Sequence, residues 1–228
     1  LIAPVLTPNG ANPLTNNWGT VYVEPGATAT GFPVGLVAGR AHTAVLRAGN
    51  TIAVWGDNSL NQTNSPAGAT NLVAVASGQN HVVAARANGT VVAWGENTSG
   101  QTNVISAATN VVAVAAGEAF CLALRTNGTV VGWGDSFYGQ TNAPAVATNI
   151  SAVAAGQRHC LALQNTGTII AWGYNGFGQT NVPGAATSVK AIAALWPCSS
   201  SMIDSRRRRS WSPGWRAETS SRNSRFSW

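Results

Sequence analysis

This sequence has little charge: Asp, Glu, Lys and Arg together make up only 9% of its 228 residues. Coiled coils and long helical bundles need many charged helix formers, and a disordered chain needs few apolar residues. A 45% hydrophobic share carried mostly by Ala and Val excludes all three. No apolar run approaches the ~20 residues that span a bilayer, so no membrane helix is expected. The start, Leu-Ile-Ala-Pro, has neither a Met nor a basic stretch leading into an apolar one. It reads as trimmed, with no signal peptide visible. Three cysteines give no disulfide framework from which to infer a compartment.

The acidic groups are too sparse for acid/base chemistry. Residues 1–190 hold five of them (Glu24, Asp57, Glu96, Glu118, Asp135), spread without pairing. No Ser, His and Asp grouping sits on a recognisable nucleophile elbow, and no phosphate-binding glycine loop is present. The chain reads as a non-enzyme with no cofactor, no metal and no small-molecule substrate. Its net charge of +6 suggests a nucleic-acid partner only until it is split by position. Six basic groups nearly balance the five acids up to Lys190, whereas the last 38 residues hold seven Arg against Asp204 and Glu218. Any nucleic-acid contact is therefore expected only through this Arg-rich tail.

What the sequence does have is a repeat. Trp55, Trp94, Trp133 and Trp172 each begin a Trp-Gly pair and stand 39 residues apart; Gly39, Gly78, Gly117 and Gly156 keep the same step, and so do Gln62, Gln101, Gln140 and Gln179, each within a Q-T-N triplet. Several residue types holding one phase over four copies define a duplicated structural unit. Within a unit, short runs rich in Val, Leu and Ala are punctuated by Gly, the signal for strands joined by tight turns. Asn88-Gly89 and Asn127-Gly128 read as type I′ hairpin turns, with Thr166-Gly167 and Gly49-Asn50 as weaker versions. Each unit predicts a hairpin plus at least one further strand, followed by a polar loop. So small a sheet cannot bury both faces alone, and successive units must stack, with Ala and Gly at the narrow centre and Trp filling space between neighbours. The fold class is all-β, with repeats of this length pointing to β-propeller blades and an open β-solenoid as the competing geometry.

The elements GENTSGQTN at 95–103 and GYNGFGQTN at 173–181, preceded by G-x-x-H, L-A-L-R and N-G-T-V-V-x-W-G, resemble the repeats of the regulator of chromosome condensation family, over residues 36–188. The 39-residue form is especially similar to the short bacterial repeats of propeller-type β-lactamase inhibitory proteins. The resemblance implies blades of a propeller that closes with seven units. About five units fit between Leu36 and the end, four of them intact, so an incomplete propeller is expected. Its two open blade faces are candidates for self-association.

The ends depart from the repeat. Residues 1–35 resemble the opening of an immunoglobulin-like module of bacterial surface proteins, or serve as a linker; the repeat domain is read as 36–194. After Ala194 the phase requires a Gly where Leu195 stands, and 195–228 become an atypical basic tail attributed to a frame change.

His42, His81 and His159 share one phase, with Phe120 at that position of the third copy, which indicates core or capping roles together with the Trp set rather than metal ligation. Cys121 and Cys160 fall on matching strands expected about 10 Å apart, too far for a disulfide, and read as buried small hydrophobes. The residues that vary between copies are the candidate binding positions. Leu60, Phe137, Tyr138, Tyr174 and Phe177 follow the Trp-Gly pairs; Arg40, Gln79, Asn80, Glu118, Gln157 and Arg158 precede the His phase. Variable side chains on a fixed scaffold indicate a protein-binding scaffold; the resemblance of the N-terminal segment to bacterial surface modules implies that it is exported or on a bacterial cell surface. Two other functions follow from the resemblance: inhibition of an enzyme such as a β-lactamase, and nucleotide exchange on a small GTPase. The mostly polar pairs before the His phase lack aromatic anchors for the first, and no loop residue can be matched to the second.

Overall fold

The structure, a computed structural model, describes residues 35–194. The immunoglobulin-like reading of 1–35 (apart from Gly35) and the basic-tail reading of 195–228, with Cys198, lie outside the described residues.

Four three-stranded antiparallel sheets follow one another, each a simple meander: β1 (Leu36–Ala38), β2 (His42–Leu46) and β3 (Ile52–Gly56); β4 (Leu72–Ser77), β5 (His81–Arg86) and β6 (Val91–Gly95); β7 (Val111–Ala116), β8 (Phe120–Arg125) and β9 (Val130–Gly134); β10 (Ile150–Ala155), β11 (His159–Gln164) and β12 (Ile169–Gly173). The described residues contain no helix. These are the blades of an incomplete propeller. Repeated phase becomes repeated register: His42, His81, Phe120 and His159 each lie opposite the Gly of a Trp-Gly pair.

The first strands of successive sheets approach one another closely, which places them on the inner side of the array. Their sequences, LVAVAS, VVAVAA and ISAVAA, show why: Ala side chains let backbones come near without a void. Each of β4, β7 and β10 carries a bulge after its first residue, which turns Val73 and Val112 outward. The core is layered between sheets. Ala44 and Leu46 of the first pack against Val82, Ala84 and Trp94 of the second; Val83 and Ala85 pack against Cys121, Ala123 and Trp133; Leu122 and Leu124 pack against Cys160, Ala162 and Trp172.

The hairpin turns differ from the sequence expectation. At Asn88-Gly89 and Asn127-Gly128 only the glycine takes a positive φ, 79° and 75°. Gly89 N–H donates to Arg86 C=O and Arg86 N–H to Thr90 C=O, so the loop has three residues with glycine in the left-handed position. The Asn side chain explains the change: its Oδ1 accepts from the N–H and hydroxyl of the Thr two residues on, which holds Asn in an ordinary conformation. Only Gly49-Asn50 has both residues at positive φ, 83° and 59°.

Candidate functional site

The loop after each Trp-Gly pair is built around a glutamine that the sequence marked only as a repeat position. Gln62, Gln101 and Gln140 are fully buried. The Oε1 of each accepts the N–H of the residue two before it, Leu60, Ser99 and Tyr138 respectively. In the first and third loops Nε2 donates to Asp57 and Asp135, both at 2.8 Å. Glu96 replaces Asp in the second, is drawn away to accept from Asn80, and leaves Nε2 of Gln101 without a partner. The Asp57 carboxyl is held below its usual range, chiefly by bonds from the Ser59 hydroxyl and N–H. A second staple joins Asn58 to Asn64, Asn97 to Asn103 and Asn175 to Asn181, so the loop tip is set by polar side chains rather than by packing.

The main-chain carbonyl of the same glutamine receives the indole N–H of the next sheet: Trp94 to Gln62 at 3.0 Å, Trp133 to Gln101 at 2.9 Å and Trp172 to Gln140 at 2.9 Å. These three tryptophans are buried between blades, as the stacking expectation required. Trp55 departs from it and is 51% exposed. The acceptor one step upstream would be residue 23, outside the described residues.

On this frame the third and fourth units present four aromatic side chains in one row. Phe137 stands edge-on to Tyr138 at 4.9 Å, Tyr138 lies 4.7 Å from Tyr174, and Tyr174 is edge-on to Phe177 at 6.0 Å. The two phenylalanines at the ends of the row are 83% and 89% exposed. Arg158 reaches over the Tyr138 ring at 5.6 Å and pairs with Glu118 at 2.7 Å, a bond that pushes its pKa further up. Six of the sequence candidates thus form one surface: Phe137, Tyr138, Tyr174, Phe177, Arg158 and Glu118. Leu60, 39% exposed in the first unit, stands in a different loop from that row.

The remaining candidates have a backbone role that side-chain variation concealed. Arg40 N–H donates to Gln79 C=O, Gln79 N–H to Glu118 C=O and Glu118 N–H to Gln157 C=O, a main-chain ladder running from sheet to sheet. Asn80 donates to Glu96 within its own unit.

Beside the ladder the His-phase rings sit on glycine. A Cβ on Gly78 would lie 2.0 Å from His81 Cε1 and 2.6 Å from Gly117 O, so only glycine fits there. His42 and His81 are buried and His159 half-buried. Burial lowers all three pKa values, that of His81 to about 4. His81 Nε2 is 3.2 Å from Cys121 Sγ, and the Cys121 and Cys160 thiols face the Gln101 and Gln140 carbonyls at 3.5 and 3.2 Å. The cysteines are buried in the core as the sequence suggests; burial pushes both thiols far up, which keeps them neutral, and each also has a polar neighbour. Both are free, and no cluster of His, Cys, Asp or Glu suited to a metal occurs among the described residues.

Residues 72–101, 111–140 and 150–179 match the regulator of chromosome condensation (RCC1) repeat. The chain thus carries three consecutive RCC1 repeats, and the first sheet repeats their topology. No curated protein matches the sequence. Among solved structures, the fold is similar to that of Prp20p from Saccharomyces cerevisiae, crystallised in a study of its binding to Gsp1p and histones, with 23% identity and a TM-score of 0.53 over 64% of this chain and 46% of that one. It is also similar to human WBSCR16, with 26% identity and a TM-score of 0.51 over 60% and 46%. The ectodomain of the Physcomitrella patens receptor kinase CR4 gives 25% identity and a TM-score of 0.54 over 77% and 49%. The chain spans about half the length of each of these relatives.

Proposed function

We propose that this array of RCC1 repeats is a non-catalytic protein-binding module whose contact surface is the row Phe137, Tyr138, Tyr174 and Phe177 with Arg158 and Glu118 beside it. The supporting observation is the exposure of two phenylalanine rings, 83% and 89%, on loops that their own glutamine and asparagine staples hold in place. An apolar ring left in water on a rigid support costs little to dock, because the side chain has few rotamers to lose and the backbone is already ordered. Aromatic anchors beside an arginine are the side chains that dominate protein interfaces. The Arg158–Glu118 pair at its edge supplies charge for orientation rather than strength, being part-exposed.

The test compares the chain with F137A/F177A as bait in extracts of its native host. Both rings are exposed, so the double variant keeps its melting temperature; a specific partner is expected to be lost from it and retained by L60A. Equal capture of the same protein by the double variant would refute the assignment. A β-lactamase assay with added chain and a nucleotide-release assay with a small GTPase address the two rival roles, and no effect is expected in either.

A further inference from the structure

The four sheets differ in one systematic way. The middle strands of the inner sheets, β5 and β8, are buried at their first five positions, whereas β2 alternates and β11 is open at two of the same five. In β2 the half-exposed residues are Thr43 and Val45. Their equivalents one, two and three units on (Val82, Cys121 and Cys160; Ala84, Ala123 and Ala162) are all buried against the preceding sheet. Among the first five positions of β11 the half-exposed residues are His159 and Leu161. The equivalents of Leu161 (Ala44, Val83 and Leu122) are each 0% exposed and packed against the following sheet. The first sheet therefore shows the half of the inter-sheet contact that looks backward, and the fourth shows the half that looks forward.

The hydrogen bonds leave the same complementary remainder. Trp55 is the one indole of the four that is exposed, and Gln179, in the acceptor position of the fourth unit, is half-exposed where Gln62, Gln101 and Gln140 are fully buried. Among the described residues no indole reaches the Gln179 carbonyl. Arg40 C=O and Gln157 N–H are likewise the ends of the main-chain ladder.

We propose that two copies of this chain associate head to tail, the first sheet of one stacking on the fourth sheet of the other, with Trp55 of one copy donating to the Gln179 carbonyl of its partner. This contact continues an interface that the molecule already makes three times within itself, so its shape and its hydrogen bonds are given in advance. It is heterologous: each copy uses a different face, and one pairing leaves one face of each kind open.

Two blocked variants test this. Val45→Asp places a charge on the backward face and Leu161→Asp one on the forward face, and both positions lie outside the three internal contacts. In sedimentation velocity over a range of micromolar concentrations, the unmodified chain is expected to exceed monomer mass and each variant alone to remain a monomer. An equimolar mixture of the two is expected to give a dimer and nothing larger, since each variant supplies the face the other lacks. A monomeric unmodified chain overturns the proposal, as does a variant that still self-associates or a mixture that stays monomeric. Thr43→Lys with Leu161→Lys repeats the design should circular dichroism show either first variant unfolded. Acrylamide quenching of the unmodified chain against Trp55→Phe gives an independent reading: the Trp55 signal is expected to become protected as concentration rises. Protection already present in the monomer means that a segment of the same chain covers the face, and that also overturns the proposal.

Discussion

Acid should weaken this fold through His81, by an amount the structure sets. The imidazole is fully buried, and burial holds it at about 4 against an ordinary value of 6.5. Its folded-state value is depressed, so the unfolded chain takes up the proton first, and stability present above pH 6.5 drains away as pH falls toward 4. The full difference corresponds to about 3 kcal/mol, of which about 2 kcal/mol is gone by pH 5. That is a large part of the 5–15 kcal/mol typical of a folded domain. Urea denaturation at steps between pH 7.5 and pH 4.5 measures it. The control is His81→Phe, because Phe120 occupies the same position in the third unit with its ring seated on Gly117 in the same way. His42 and His159 remain in both proteins, and since the charge of His42 is the second cause of the His81 shift after burial, the difference between the two curves reports His81 together with its coupling to His42. The variant should lose about 2 kcal/mol less than the unmodified protein between pH 7.5 and pH 5. Parallel curves would show that the imidazole is not held neutral by burial, and the argument would fail.

Trp133→Phe removes the indole bond to Gln101 from a buried site and should cost about 1–3 kcal/mol in urea denaturation, whereas Trp55→Phe, at an exposed site, should change monomer stability by less than about 0.5 kcal/mol. Gly78→Ala forces a methyl to within 2.0 Å of the His81 ring and 2.6 Å of the Gly117 carbonyl, an overpacking expected to cost about 3 kcal/mol or more. Combined with His81→Ala it should cost less than the sum, since one of the two clashes disappears, and a thermal melt of the set reads the coupling. Gln140→Leu strips the Tyr138 N–H and the Asp135 carboxylate of their shared partner and should lower stability by about 1–3 kcal/mol, with hydrogen exchange at Tyr138 rising. An unchanged Tyr138 exchange rate would contradict the role given to that glutamine.

The 39-residue step made the sheets, their order and their stacking legible, because a strand of Val and Ala between glycines has few other places to go. Turn type is not legible in the dipeptide: Asn-Gly suggests two positive φ angles in isolation, and nothing in it reveals that Thr90 and Thr129 will hold the Asn side chain. The aromatic row was visible only as separate variable positions. Tyr138 and Tyr174 stand 36 residues apart and meet because consecutive loops sit side by side on stacked sheets, a contact the sequence does not print. Gln62, Gln101 and Gln140 passed as markers of phase, although an invariant glutamine inside a polar loop, always followed by Thr-Asn, was itself a sign of a side chain engaged with the backbone. Trp55 showed the limit of arguing from phase: identical positions have identical surroundings only where a neighbour exists on both sides.

The ladder through Arg40, Gln79, Glu118 and Gln157 is made of amide and carbonyl groups, to which the identity of the side chain is almost irrelevant. Cohesion between successive units is thereby uncoupled from the chemistry displayed along that rim, and the natural assortment of a cation, an anion and two amides there already shows how freely it varies. A combinatorial library diversified at these four sites should consequently retain its fold across most members, which would make the rim a suitable address for installing new recognition.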